Sequence, residues 1–257
     1  MQEEYYPSNN NFVFPSIAII FVGALIAGTI YWQSKPSNLP TCAPDQKNYL
    51  ADFPVPNATD NIKGSLFAEA ILIEYSDTEC PYCKVAHQAL SEIAGYYSAD
   101  NLAWIYRHMP FDEIHSKSRK ESEAAECAGE QGPEKFWAFL DEIFNRTESN
   151  DSLPVEELTK IAAEQNLNLS KWNSCITNRT YLAKIDAQAK AGLQAGVIGT
   201  PYIFIIPKTP FNKHDIEALS RYDVYITPDG RYATIEGPNV RALETAISLI
   251  VRKAQVR

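Results

Sequence analysis

The pattern of apolar and polar positions divides the chain into regions of different character. A run without charged residues covers residues 12–32, and a segment rich in Pro, Asn, Ser and Asp follows it to about residue 60. Further along, short apolar runs alternate with stretches in which apolar residues recur every three or four positions. These two periods are typical of buried strands and amphipathic helices, so the pattern predicts an α/β domain over residues 61–255.

The first predicted elements form a strand-helix-strand unit. Residues 70–75 are apolar and partly β-branched, a helix with Pro81 in its first turn follows, and residues 102–106 suit a second strand. Because the two strands are separated by a helix, the pattern predicts that they run parallel.

A helical segment is predicted next, over residues 113–196. Its expected breaks lie near residues 129–133, 145–153 and 166–170, and Ser152 or Ser170 is expected to cap the helix that follows. Strands at residues 202–206 and 232–235 then resume the sheet, and Asn239 is expected to cap a final helix.

The N-terminal region predicts an attachment to a membrane. Residues 12–32 are about as long as a membrane-spanning helix must be, roughly 20 residues, so we expect a transmembrane anchor between a tail at residues 1–11 and a Pro-rich stalk at residues 33–60. A cleaved signal peptide and a buried core helix are the alternatives. Cys42, within the stalk, has no assigned role.

Composition limits the possible functions. The net charge of -9 argues against nucleic-acid binding, which needs clustered Lys and Arg to neutralise phosphates. Five cysteines in 257 residues are too few for a disulfide-dense scaffold, so their individual positions matter more than their number.

Two of these cysteines, Cys80 and Cys83, form a Cys-Pro-Tyr-Cys motif at the predicted strand-to-helix junction. A thiolate is the nucleophile of disulfide exchange, and the N-terminus of a helix favours a thiolate at Cys80. Cys83, one turn later, is placed to resolve a mixed disulfide. The motif therefore predicts a redox pair.

A zinc site is the competing interpretation of a Cys-x-x-Cys motif. It would need two further ligands at a characteristic spacing, and the sequence has no second Cys-x-x-Cys motif. The histidines are scattered, at positions 87, 108, 115 and 214. We therefore expect no metal ion and no organic cofactor.

Three segments together resemble DsbA-like thiol-disulfide oxidoreductases. They are residues 71–83, which read Ile-Leu-Ile-Glu-Tyr-Ser-Asp-Thr-Glu-Cys-Pro-Tyr-Cys, the Ala-Ala-Glu-Cys-Ala of residues 124–128, and the Gly-Thr-Pro of residues 199–201. The resemblance covers roughly residues 60–255. It implies a thioredoxin fold with an inserted all-helical subdomain, here preceded by a transmembrane helix.

The resemblance also implies roles for residues of the loop and strand near the motif. Pro201 matches a cis-proline that lies beside the reactive disulfide, and Thr200 before it would tune access to Cys80. Glu74 matches a buried acid that moves a proton to or from Cys83. An acid at a strand edge facing water is the alternative for Glu74.

Two further features bear on redox behaviour. The most oxidising members of the family have His where this chain has Tyr82, so a milder oxidant is expected. Cys127 and Cys175 match the positions of a second, structural disulfide in some members, which would stabilise the subdomain by roughly 2–4 kcal/mol.

The expected function is disulfide donation to reduced, newly exported proteins on the extracytoplasmic side of a membrane. A membrane thiol oxidase would regenerate the disulfide, an implication of the resemblance alone. A disulfide reductase or isomerase on the same fold is one alternative. A peptide-binding assembly factor that uses the groove near Pro201 is another.

Overall fold

The computed structural model describes residues 53–255, whose strands form one six-stranded sheet. The strands are β1 Asn61–Lys63, β2 Ala70–Ser76, β3 Leu102–His108, β4 Tyr202–Pro207, β5 Val224–Ile226 and β6 Ala233–Glu236. They lie in the order β1-β3-β2-β4-β6-β5. As predicted, β2 and β3 are parallel, and all other neighbouring pairs of this sheet are antiparallel.

Apart from the short helix at Lys213–Leu219, the described helices lie where the sequence pattern predicts helix. They are α1 Pro81–Tyr96, α2 Ser118–Gly129, α3 Pro133–Arg146, α4 Val155–Glu164, α5 Leu169–Thr177, α6 Leu182–Gln194, α7 Lys213–Leu219 and α8 Val240–Gln255. The five helices α2 to α6 lie between β3 and β4 in the chain. A parallel strand-helix-strand unit and an antiparallel unit therefore build one sheet, interrupted by a helical insertion.

Both faces of the sheet are buried, and β2 supplies side chains to each. Leu72 belongs to the larger apolar core, which also contains Cys80 and Cys83, whereas Ile73 and Tyr75 belong to the core on the opposite face. Because side chains alternate along a strand, Glu74 points to the same face as Leu72. The face that carries the two thiols therefore also carries a buried acid.

Glu126 of α2 attaches the helical insertion to the sheet. One carboxylate oxygen lies 3.1 Å from His108 Nε2 in β3 and accepts a hydrogen bond of 2.8 Å from the Asn61 amide in β1. The other accepts from Lys184 Nζ in α6 at 2.7 Å. Since Glu126 is buried, these contacts satisfy a charge that would otherwise be costly.

The last part of the predicted stalk packs against the domain instead of standing free. Phe53 contacts the rings of Phe204 and Tyr232, with centroid distances of 5.9 and 4.5 Å. The buried guanidinium of Arg107 pairs with Asp60 at 2.8 Å and donates to the Val55 carbonyl. Residues 53–60 are therefore held against the sheet, because they supply the acceptors that the buried Arg107 guanidinium needs.

The predicted N-terminal cap is right for α8 and wrong for α4 and α5. Asn239 accepts a hydrogen bond from Ala242 N, as expected. Neither expected serine caps a helix: Asn168 caps α5 by accepting from Lys171 N, and α4 begins after Pro154 without a side-chain cap. Ser152 instead accepts from Glu148 N within the preceding loop.

Three short elements lie where the sequence pattern predicts none: β1, α7 and β5. Within residues 53–255, none of the helices is both long and apolar enough to cross a membrane. The predicted anchor at residues 12–32, the tail before it, most of the stalk and Cys42 lie outside the described residues.

Candidate active site

Cys80 lies at the N-cap of α1, where β2 leads into the helix. Its backbone is extended, with φ -78° and ψ 124°, and Pro81 occupies the first turn of the helix. This conformation suits the sequence, since proline fits the first turn and lacks the N–H that would be unpaired there. The Cys80 side chain is therefore placed at the positive end of the helix dipole, which favours its thiolate.

The two thiols have opposite electrostatic environments. A hydrogen bond from the Cys83 thiol lowers the pKa of Cys80 to about 6, against the effect of burial. Burial raises the pKa of Cys83 well above its usual value, and the interaction with Cys80 raises it further. Cys80 is 7% exposed and Cys83 is 0% exposed, so the more reactive thiolate is also the more accessible one.

The loop before β4 approaches the motif through a cis peptide bond between Thr200 and Pro201. The pairing of Tyr202 with Tyr75 places this loop beside the end of β2. Cys80 Sγ lies 3.4 Å from the Thr200 carbonyl oxygen, to which the thiol form donates. Hydrogen bonding by the Thr200 side chain also contributes to the low pKa of Cys80.

Glu74 is completely buried on the face of the sheet that carries the thiols. Burial raises its pKa, while the charge of His87 and the hydrogen bond from Trp104 oppose the rise. Trp104 Nε1 donates to one carboxylate oxygen at 2.9 Å, and the other oxygen has no hydrogen-bond partner. The alternative of a water-facing acid at a strand edge is therefore wrong.

Tyr106 is a buried neighbour of Glu74 and is affected by the charges of Glu74 and Cys83. It pairs with Glu74 across β2 and β3 and is completely buried. Burial raises the pKa of Tyr106 well above its usual value, and the charges of Glu74 and Cys83 both add to this rise. Negative charge on either Glu74 or Cys83 is therefore felt at the Tyr106 hydroxyl, so the acid and the buried thiol lie in one electrostatic environment.

A cluster of buried acids beside the motif was not predicted. Asp77, Glu79 and Glu121 are each no more than 1% exposed, and Asp77 lies 3.0 Å from the His115 ring. The Asp77 N–H also contacts Cys83 Sγ at 3.4 Å. The sequence did contain a signal for this cluster: Asp77 and Glu79 are two acids in apolar surroundings directly before a predicted helix.

Cys127 and Cys175 form a disulfide that joins α2 to α5. Both residues are at most 4% exposed and belong to the larger apolar core. The pairing is the one implied by the resemblance, and it lies in the helical insertion, outside the Cys80 motif.

Among the described residues, no group of three or more His, Cys, Asp or Glu side chains is arranged to hold a metal ion. His87 lies 2.6 Å from Asp141, and His108 and His115 contact Glu126 and Asp77. These three histidines therefore have carboxylate partners within the protein.

The fold and motif define a class: a thioredoxin-type sheet with a helical insertion and a Cys-x-x-Cys motif at the start of α1. A family model described as thioredoxin matches residues 57–222. The chain belongs to the thioredoxin family.

Solved structures extend the likeness to the helical insertion. α-DsbA1 from Wolbachia pipientis has a TM-score of 0.60 at 22% identity, with 81% of this chain and 98% of that chain covered. DsbA2 from Pseudomonas aeruginosa has a TM-score of 0.56 at 22% identity, with 77% and 96% covered. At these identities the likeness shows that the fold is DsbA-like.

This chain matches only part of the length of the curated relatives that resemble it. The Na(+)/H(+) antiporter NhaA 3 of Salinispora tropica is 31% identical over 167 residues, which are 65% of this chain and 24% of the relative. The antiporter NhaA of Herminiimonas arsenicoxydans is 27% identical over 174 residues, again a quarter of its length. The chain thus spans about a quarter of these relatives.

Proposed function

We propose that this protein is a thiol-disulfide oxidoreductase that donates the Cys80–Cys83 disulfide to reduced, exported proteins. The observation that carries the proposal is the asymmetry of the two thiols. Cys80, with a pKa lowered to about 6 by Cys83, is partly accessible at a helix N-terminus. Cys83, whose pKa burial raises, is enclosed beneath it.

The reaction proceeds by two exchanges. A substrate thiolate attacks Cys80 Sγ, the bond between Cys80 and Cys83 breaks, and Cys83 leaves with the electron pair and takes up a proton. A second substrate thiolate then attacks the substrate sulfur of the mixed disulfide, and Cys80 leaves as a thiolate. Two electrons pass from the substrate to the pair, and the substrate gains a disulfide.

The low pKa of Cys80 supports donation as the direction. A thiol of lower pKa leaves faster in disulfide exchange, so the mixed disulfide opens readily at Cys80 and releases the oxidised substrate. Tyr82, whose side chain is 63% exposed, replaces the histidine of the strongest oxidants. A pKa of about 6 lies above the roughly 3.5 of DsbA, in agreement with a milder oxidant.

Proton supply to Cys83 is assigned to Glu74 in this proposal. Burial raises the pKa of Glu74, so this acid keeps its proton to higher pH than an exposed glutamate and is suited to supply one to a departing Cys83 thiolate. Tyr106 lies near both groups. Pro201 and Thr200 are assigned to the substrate-binding loop because they lie against Cys80.

The location proposed for the domain is the extracytoplasmic side of a membrane, attached through residues 12–32. The disulfide between Cys127 and Cys175 supports an oxidising compartment, because such bonds persist where thiols are not kept reduced. A membrane thiol oxidase is proposed to regenerate the pair. The antiport activity in the names of the curated relatives is not proposed for this chain, which spans a quarter of their length.

The reduction potential of Cys80 and Cys83 tests the direction of the reaction. The full chain with Cys42→Ser is equilibrated with glutathione, and the state of Cys127 and Cys175 is assigned separately. A value toward roughly -180 to -120 mV supports disulfide donation. A value near roughly -270 mV contradicts it and favours a reductase.

The peptide-binding alternative predicts a different result. If the cysteines are incidental, the Cys80→Ser, Cys83→Ser double variant keeps full activity toward reduced client proteins. Disulfide donation requires that the double variant forms no disulfides in a reduced, unfolded protein, which a thiol count after incubation measures.

A further inference from the structure

Glu79, the residue directly before Cys80, is completely buried and accepts hydrogen bonds from the loop between α3 and α4. One carboxylate oxygen accepts hydrogen bonds from Asp151 N at 2.7 Å and from Thr147 Oγ1 at 3.2 Å. Its backbone carbonyl accepts from Asn150 N at 2.8 Å. The active-site segment and the connection between α3 and α4 therefore meet at this one residue.

The loop between α3 and α4 has an unusual run of positive φ angles. Ser149, Asn150 and Asp151 have φ values of 68°, 54° and 63°, a left-handed conformation that residues other than glycine seldom adopt in succession. Such a conformation persists only when the surrounding contacts determine it. The hydrogen bonds to Glu79 are among those contacts, so the loop depends on this acid.

Glu121, on α2, faces the same site. Its carboxylate accepts a hydrogen bond from Thr78 Oγ1 at 2.6 Å, and it is only 1% exposed. Burial raises the pKa of Glu121 to about 9, and the neighbouring Glu79 carboxyl contributes to the rise. Glu121 therefore holds its proton at neutral pH.

An unpartnered oxygen independently indicates where this proton is used. Glu79 Oε1 is buried and accepts no hydrogen bond from an amide or hydroxyl group. A buried carboxylate oxygen without a donor is costly. Glu121 lies within hydrogen-bond range of the Glu79 carboxyl, so a protonated Glu121 is placed to donate to it.

We propose that Glu79 and Glu121 share a single proton, and that this pair is a positioning element that tunes Cys80 by limiting the charge beside its thiolate and fixing the segment before it. The proposal rests on the exchange at Cys80 proposed above. With one shared proton, the pair carries a single negative charge. Two adjacent negative charges would strongly disfavour the thiolate form of Cys80.

Other charged and titratable groups face the pair from the surrounding elements. Asp77 and Cys80 lie in the same segment, and Lys84 of α1 donates to the Thr147 carbonyl. His115 contacts Asp77 before α2. Asp151 accepts from the N–H of Lys117 in the loop on the other side. None of these groups donates to Glu79 Oε1, and the proposal assigns Glu121 as its donor.

The sign of the pH dependence follows from the two states of Glu121. Its pKa is 4.5 without perturbation and about 9 in the folded protein, so folding requires the residue to keep a proton that the unfolded chain releases. Wild-type stability relative to Glu121→Gln is therefore full below pH 4.5 and decreases up to about pH 9.

Two measurements on the reduced full chain with Cys42→Ser test the proposal. The ultraviolet absorbance of the thiolate, titrated against pH, gives the pKa of Cys80. Glu121→Gln should leave this pKa unchanged, because it replaces a neutral donor by a neutral donor. The Glu79→Gln, Glu121→Gln double variant should lower it by about one unit, a tenfold rise in the thiolate-to-thiol ratio, because it removes the remaining charge.

Infrared spectroscopy supplies the second measurement. The measurement uses Glu74→Gln as background, because the raised pKa of Glu74 could add a second protonated carboxyl group. This background should show the carbonyl band of a protonated carboxyl group at neutral pH, and adding Glu121→Gln should remove the band. Glu123→Gln is the matched control, since Glu123 is a buried carboxylate on the same helix that pairs with Arg179. It should change neither the band nor the pKa of Cys80.

Two results would overturn the proposal. One is a Glu121→Gln variant that by itself lowers the pKa of Cys80 as far as the double variant does, because both acids would then be ionised. The other is a Glu74→Gln protein that shows no protonated carboxyl band. Neither measurement needs a substrate or an oxidant, so disulfide donation could fail while the shared proton is still observed.

Discussion

The two cysteine pairs of the described domain show how different surroundings give sulfur different chemistry. Cys127 and Cys175 are joined across two helices within an apolar core, 48 positions apart. Cys80 and Cys83 are free thiols on one turn of a helix, surrounded by acids, a cis-proline loop and the end of β2. Both pairs are buried. Only in the second pair is the pKa of one thiol, Cys80, lowered while that of the other, Cys83, is raised.

This difference shows that position on a helix and hydrogen bonding, more than burial, distinguish a reactive cysteine from a structural one. Cys80 is 7% exposed and Cys127 is 1% exposed, which is a small difference. What Cys80 has in addition is a helix N-terminus and donors to its sulfur.

The largest expected effect is on activity. Cys80→Ser should reduce disulfide exchange with a reduced peptide to the uncatalysed background, because a serine hydroxyl cannot replace the thiolate. The Cys127→Ala, Cys175→Ala double variant, assayed at a temperature where it is folded, should retain most of the activity. Equal losses in the two variants would mean that the division between reactive and structural pairs is wrong.

The reverse is expected for stability. The Cys127→Ala, Cys175→Ala variant should lose roughly 2–4 kcal/mol of unfolding free energy, because the bond restricts the unfolded chain. Denaturant titration under oxidising conditions measures this loss. Cys80→Ser, which breaks no structural bond, is the control. A double variant as stable as the wild type would show that the apolar packing of α2 and α5 suffices.

Replacement of the buried acid should have an intermediate effect. Glu74→Gln should slow release of the Cys83 thiolate by about 100-fold, the usual contribution of general acid-base catalysis, and should remove the loss of rate as pH rises through the raised pKa of Glu74. Stopped-flow measurement of the reaction with a reduced peptide reports this step. The control is Glu69→Gln, since Glu69 pairs with Lys208 at the other end of β2. A Glu74→Gln variant with the wild-type rate and pH profile would remove the acid from the mechanism.

Much of this comparison could be predicted from the sequence because its determinants are local. The strand before Cys80, the proline after it and the helical spacing beyond fix the position of the thiol without reference to other parts of the chain. The general fold, with a helical insertion between β3 and β4, followed from apolar periodicity in the same way.

The unpredicted features depend on contacts between distant segments. Thr78 and Glu121 are 43 positions apart, and only the packing of α2 against the motif brings the acids together. The attachment of Asp60 likewise depends on Arg107, 47 positions away. The cap at Asn168 was missed for a local reason, since helix boundaries shift by one or two residues when several polar residues compete as caps.

The smallest expected effect tests the donor at Thr200. Because the Thr200 side chain helps to lower the pKa of Cys80, Thr200→Val should raise that pKa from about 6 by up to about one unit, the usual worth of one hydrogen bond. The rate of alkylation of Cys80 follows its thiolate, so the rate falls as pH falls through the pKa. The variant profile should therefore lie at higher pH than the wild-type profile. Thr245→Val, which removes a hydroxyl bonded within α8, should leave the profile in place. If Thr200→Val also leaves it in place, the helix N-terminus and Cys83 together account for the thiolate, and the cis-proline loop contributes only its shape to the reactive pair.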